Sequence, residues 1–267
     1  MKRIVLIFLL CAALLCGCGS RAAAPVEAPT ASLQAGAVMG RSYVPESPLP
    51  REVTPMEQGV SLTEQSVIWR AAESPDGRAA LYRLNEDTVL VQWDGDVAMF
   101  DGWNFETPRT IDPWMAVLDV SGTGTADTLV VDLYAGSGTG VSIEELHLLT
   151  KDAHGTITDY PLPEALYTEE LAHQITVDVK ANTLTLGAAA LAQPEPENGS
   201  SLTGNVNLRD QVHFSASVTG ELKMELGVQL ERTGTAAPVP VGQLLADVYL
   251  DQETGIYTLE CITIGGD

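Results

Sequence analysis

The feature that most constrains this chain is its punctuation: apolar runs of four to nine residues, separated by turn signals rich in Gly, Asp and Pro. Residues 67–71 and 79–84 flank Ser74-Pro75-Asp76-Gly77, and residues 88–93 and 97–100 flank Asp94-Gly95-Asp96. Gly and Asp tolerate the positive φ that tight turns demand, so these blocks encode hairpins. Further runs cover 114–118, 128–134, 142–149, 175–179, 183–186, 212–218, 222–230, 244–250 and 256–264. Only 163–171 reads as a helix, with Pro163 and Glu164 at its start and Leu166 and Leu171 as apolar contacts. The expectation is a mainly β fold, a meander, sandwich or partial propeller, with one short helix.

The amino terminus is different in kind. Met1-Lys2-Arg3 is followed by an apolar run from Ile4 to Leu15. A basic head and a short apolar stretch form an export signal. The run falls short of the roughly 20 residues that span a bilayer. Leu15-Cys16-Gly17-Cys18 then resembles the lipobox of bacterial lipoproteins, with Leu three positions before the cysteine and a small residue just before it. Cys16 fits less well, because Leu15 adjoins it. The resemblance implies that 1–17 is a lipoprotein signal peptide. It implies palmitate-type acyl chains on Cys18, holding the chain to the extracytoplasmic face of the cell membrane; ordinary secretion is the alternative. Two acyl chains, at ~0.8 kcal/mol per buried CH₂, make a stable anchor.

Residues 18–60 are rich in Ala, Pro, Ser and Thr and poor in aromatics, which predicts a flexible tether. The folded part is expected as a hairpin region over 61–160 and a mostly stranded region over 161–267. Residues 192–201, with Pro194, Pro196 and Gly199, read as an exposed loop. The formal charge of −22 repels phosphate backbones, so nucleic acid is excluded as a partner, while cations are favoured. Once 1–17 is removed and Cys18 is acylated, Cys261 is the remaining thiol of four, and its alternating surroundings read as strand.

Asp119-Val120-Ser121-Gly122-Thr123-Gly124-Thr125-Ala126-Asp127 lies between two strand patterns. It resembles the calcium loop of FG-GAP/VCBS β-repeats, D-x-D-G-D-G-x-x-D. By that resemblance Asp119, Ser121, Thr123 and Asp127 offer side-chain ligands and Thr125 a carbonyl. Ser121 and Thr123 stand where the pattern has Asp or Asn, so oxygen is kept and charge is lost. Calcium affinity depends on ligand charge, so a weak site or a plain turn is expected.

Asp132 and Gly136-Ser137-Gly138-Thr139-Gly140 resemble the first motif of class I methyltransferases, a remote alternative over 132–140. Strand patterns dominate the chain beyond Gly140, where that fold would alternate strands with helices, and no Lys after Gly140 makes a phosphate loop. The glycines are expected in a wide turn. Glu144 and His147 would share a face on a helix, as metal ligands do, but point to opposite faces on the expected strand.

Three blocks, 103–111, the calcium-like loop with its strands (114–134) and 136–147, together with the strands of 212–264, are similar to an uncharacterised family of exported proteins from Gram-positive bacteria. That likeness implies location and a β fold, not an activity. Two functional classes are compatible with it. One is a non-catalytic envelope module binding a glycan, a peptide or another envelope protein, with Trp93, Trp103 or Trp114 as anchors unless they pack in the core. The other is a wall or glycan hydrolase using paired carboxylates drawn from Asp94, Asp96, Asp101 or Glu106.

Overall fold

The computed structural model describes residues 28–53, 68–85, 87–103, 111–162, 164–193, 201–208, 210–234 and 237–265. Cys18, the leader 1–17 and Glu106 lie outside them. Within them the elements run β1 (Ala31–Gln34), β2 (Val38–Met39), β3 (Arg41–Ser42), β4 (Trp69–Glu73), β5 (Ala79–Arg83), β6 (Thr88–Trp93), β7 (Asp96–Asp101), β8 (Trp114–Leu118), β9 (Thr128–Gly138), β10 (Val141–Lys151) and β11 (Ile157–Pro161). Then come α1 (Glu164–Gln174), β12 (Ile175–Asp178), β13 (Thr183–Leu186), β14 (Ala189–Ala192), β15 (Leu202–Asn207), β16 (Gln211–Ala216), β17 (Leu222–Arg232), β18 (Val239–Asp251) and β19 (Ile256–Gly265). The fold is mainly β.

The meander β4–β7, with β3 on its edge, forms a five-stranded sheet. Its two-residue turn Asp94-Gly95 takes positive φ at both positions, the conformation that matches strand twist in a hairpin. The second sheet has eleven strands, and its main path runs β1-β19-β18-β17-β16-β10-β11-β2. The strands at the two ends of that path, β1 and β2, are separated in sequence only by Ala35-Gly36-Ala37. The sheet therefore curls back on itself. A three-stranded sheet, β12-β13-β14, and α1 pack at the curl.

Burial follows from this layering. β8, β9 and β10 are covered on both faces. On one side Met115, Val117, Leu129, Val131, Leu133 and Leu149 meet Leu81, Val91, Trp93 and Phe100 of the small sheet. On the other, Val130, Leu146 and Leu148 join Leu222, Leu226, Leu244, Val248, Tyr257 and the helix residues Tyr167 and Leu171. Continuous apolar runs such as Leu129-Val130-Val131 are what a doubly covered strand requires. β18, with water on one face, instead alternates buried and exposed positions along nearly its whole length.

Two expectations are revised. The stretch read as a flexible tether contains β1, β2 and β3, paired to β19, β11 and β7. Its apolar residues are few but well placed: Ala31 and Leu33 are buried, and the backbone contributes edge pairing that side-chain composition does not reveal. Tyr43 and Leu49 from the same stretch cover the outer face of the small sheet over Ala80, Tyr82 and Leu90. Whether 61–160 and 161–267 make one unit or two is left open by the sequence, and the large sheet takes strands from both, since β10 pairs with β16. The glycines of 136–140 make a tight hairpin, with β9 extending to Gly138 and β10 starting at Val141.

Candidate functional site

The loop 119–127 joins β8 to β9 and closes through the Asp127 N–H donating to the Leu118 carbonyl at 3.2 Å. Asp119 organises it: Oδ1 accepts from the Thr123 N–H at 2.9 Å and Oδ2 from the Gly124 N–H at 2.7 Å. The Ser121 hydroxyl sits centrally, 3.4 Å from Asp119 Oδ1, 3.2 Å from Thr123 Oγ1 and 3.4 Å from Asp127 Oδ2. Four of the five expected ligands therefore converge, and Thr125 is exposed beside them. The set supplies two carboxylates, and both Asp119 oxygens already hold backbone N–H groups. Among the described residues no group of three or more His, Cys, Asp and Glu is placed to hold a metal ion. Calcium prefers six to eight oxygens with higher charge, so the loop is a poor fit for tight binding.

The loop also clamps the tip of the β16–β17 hairpin. Gly220 at that tip has φ +89°, and a Cβ there would stand 2.2 Å from the Asp119 carbonyl oxygen. Only glycine allows this approach.

Beneath the hairpin is a cavity of about 270 Å³ lined by Trp114, Val130, Asp132, Leu146, Phe214, Ser215, Ala216, Leu222 and Lys223. The register explains why these meet. Trp114 lies directly across from Asp132, and Asp132 across from Leu146, so one face of β8, β9 and β10 carries all three. β16 runs beside β10 only at Ser142–Gln211 and Ile143–Val212, then departs. Glu144 bridges the opening. Its Oε2 accepts from the Phe214 N–H at 2.7 Å and its Oε1 lies 3.1 Å from His213 Nδ1. Burial, then the negative charge of Glu144 and a hydrogen bond shared with it, push the Asp132 carboxyl up to about 8. Asp132 is thus a neutral acid at pH 7, with a buried Oδ1 that has no hydrogen-bond partner among the described residues. Lys223 at the rim is held by Asp247 at 2.8 Å. Trp114 is 42% exposed, the aromatic anchor candidate that does face solvent.

The opposite face of β10 carries a sealed pair. His147 Nδ1 lies 2.8 Å from Asp159 Oδ2, and both side chains are almost wholly buried. Trp103 stacks on the imidazole with ring centroids 3.8 Å apart. Burial pulls the imidazole pKa down, but the Asp159 carboxylate beside it, with Glu145 adding, outweighs that and holds it above its ordinary value. The pair ties β10 to β11 within the large sheet, and Trp103 on the imidazole is the contact that reaches across to the small-sheet layer.

The remaining candidates are dispersed. Asp94 is paired with Arg78 at 2.8 Å and approached by Lys151, which also lies 3.4 Å from Asp96. Asp101 pairs with Arg41. Asp94 and Asp96 thus meet at Lys151, whose ammonium neutralises them, and Asp101 is held separately by Arg41. Trp93 and Trp103 are buried in the core between the sheets. Glu144 and His147 do face opposite sides of β10. Residues 132–140 enter a hairpin, without the helix that a methyltransferase loop would introduce. Cys261 lies in β19, its side chain outside the described atoms. The signal that marks the true cluster is a charge within a doubly covered apolar run: Asp132 in Leu129-Val130-Val131-Asp132-Leu133, and His147 in Leu146-His147-Leu148-Leu149. No family model, curated protein or solved structure matches this chain.

Proposed function

We propose that this chain is a lipid-anchored module on the extracytoplasmic face of a cell membrane, binding an envelope glycan or peptide in the cavity beside Trp114 without transforming it. The observation that carries the binding half is Trp114 itself, a solvent-facing indole at the rim of an aliphatic cavity that holds one carboxyl group. An amphipathic ring over an apolar floor suits ligands with one apolar and one polar side. The leader and the Cys18 motif support the anchored half. Titration with soluble envelope glycan and peptide fragments, read at the Trp114 indole N–H, tests the first half. A response lost in Trp114→Ala is expected, and silence at Trp114 for every fragment overturns it. Mass spectrometry of the membrane-extracted protein tests the second: a diacylated Cys18 at the amino terminus is expected, and an intact Met1 refutes it.

In the same reading, 119–127 is a weak calcium loop. Calcium should raise the melting temperature of the wild type and not of Asp127→Asn; indifference to millimolar calcium makes the segment a turn. A hydrolase is the second reading, favoured by one observation, the adjacency of Asp132 and Glu144. Both Glu144 oxygens are engaged by β16, so Glu144 is not placed to act as the second acid that glycoside hydrolysis uses.

A further inference from the structure

We propose that the cavity between β8–β10 and the β16–β17 hairpin recognises a primary ammonium group, seated against Asp132 and under Trp114. This deepens the proposed binding function and rests on it.

The cavity, about 270 Å³, is below the range of drug-sized pockets and suits one flexible side chain or a single substituent. Its walls are Val130, Leu146 and Leu222, with the rings of Trp114 and Phe214. The charged groups around it are already matched, with one exception. Glu144 holds His213 and the Phe214 N–H, and Lys223 holds Asp247. Asp132 Oδ1 is buried and lacks a partner among the described residues. An orphan acceptor of this kind calls for a donor.

The charge of that donor follows from the neighbours. Asp132 and Glu144 are close enough for one to raise the pKa of the other. A hydroxyl would satisfy the hydrogen bond but leave two crowded negative charges once Asp132 ionises. An ammonium supplies both the N–H donor and the compensating charge, and an aromatic face adds cation–π attraction. An anion would meet the same carboxylates as repulsion. The strongly acidic chain draws cations to its surface. Binding is a proton exchange: the Asp132 carboxylic acid gives its proton to water and the carboxylate pairs with the ammonium. The charged and titratable groups facing this exchange are Glu144 from β10, His213 from β16, Lys223 from β17 and Asp247 from β18.

The test is titration of the full chain with n-pentylammonium chloride, with n-pentanol as its uncharged counterpart. At pH 9 the ammonium should bind the more tightly. Its affinity should fall about tenfold for each pH unit below ~8, with one proton released per complex. Asp132→Asn should erase the preference for the ammonium and the pH dependence while pentanol still binds. Trp114→Ala, at an exposed position that leaves folding intact, should weaken the ammonium by roughly two- to fivefold. Equal binding of the two probes, or a preference that survives Asp132→Asn, overturns the ammonium inference and leaves the cavity a ligand site. Failure of both probes to bind overturns it as well, and the fragment titration read at Trp114 then decides separately whether the module binds anything there.

Discussion

The two faces of β10 solve the same problem in opposite ways. Each buries an acid beside another ionisable group. On the small-sheet side, Asp159 is closed to solvent and matched by His147, whose ring Trp103 covers. On the other side, Asp132 is placed beside a second acid, Glu144, and opens onto a cavity. A buried charge with a partner of opposite sign behaves as a structural joint. An acid crowded by a like charge holds its proton instead, and the unmet interaction is available to something arriving from outside.

The largest effect should come from breaking the sealed side. Asp159→Ala leaves His147 buried without its carboxylate and should cost about 3–5 kcal/mol in urea unfolding. Replacing both members with Leu should recover most of that loss, because a buried ion pair often gains little over an apolar pair. A double variant no better than the single one would mean that Asp159 has other work to do. Next in size is Gly220→Ala, which drives a Cβ into the Asp119 carbonyl at a strained φ and should cost about 2–3 kcal/mol, loosening the hairpin that roofs the open side.

The pH dependence separates the faces more finely. Asp132 and His147 both bind protons more tightly folded than unfolded. Each therefore contributes stability that is full below its unfolded pKa and lost as pH rises through its folded pKa. For Asp132 that window runs from about pH 4 to about 8, and for His147 it begins near 6.5. Asp132→Asn imitates the protonated acid. It should match the wild type within about 1 kcal/mol at pH 4 and exceed it at pH 9, flattening the lower window only. An unchanged slope would place the proton elsewhere. Trp114→Ala should be the mildest of these, with a stability change of about 0.5 kcal/mol or less, since a half-exposed rim residue supports recognition more than folding.

Hairpins are the most legible part of the chain, because the turn chemistry at Pro75-Asp76-Gly77 and Asp94-Gly95 is local and the flanking strands need nothing else to be recognised. The helix is equally readable from Pro163 and Glu164, although it continues one turn past Leu171 to Gln174. The edge strands β1, β2 and β3 escape notice because their pairing is to residues far along the chain, so no local pattern encodes it. The loop 119–127 is visible as a motif, and its side chains do converge. The cavity is not visible, since it arises where β16 leaves β10 and depends on the register that sets Trp114 opposite Asp132. The individual residues carry a hint all the same: a lone acid in an unbroken apolar strand has a reason to be there.

Under the proposed anchoring, the pairing of β1 with β19 would set how far the body could stand from a lipid on Cys18. From there to Ala31 are 13 peptide steps, which can reach at most about 45 Å. A molecule so anchored would work within a thin shell above the bilayer. A pull from that end would load the four register pairs between β1 and β19 first.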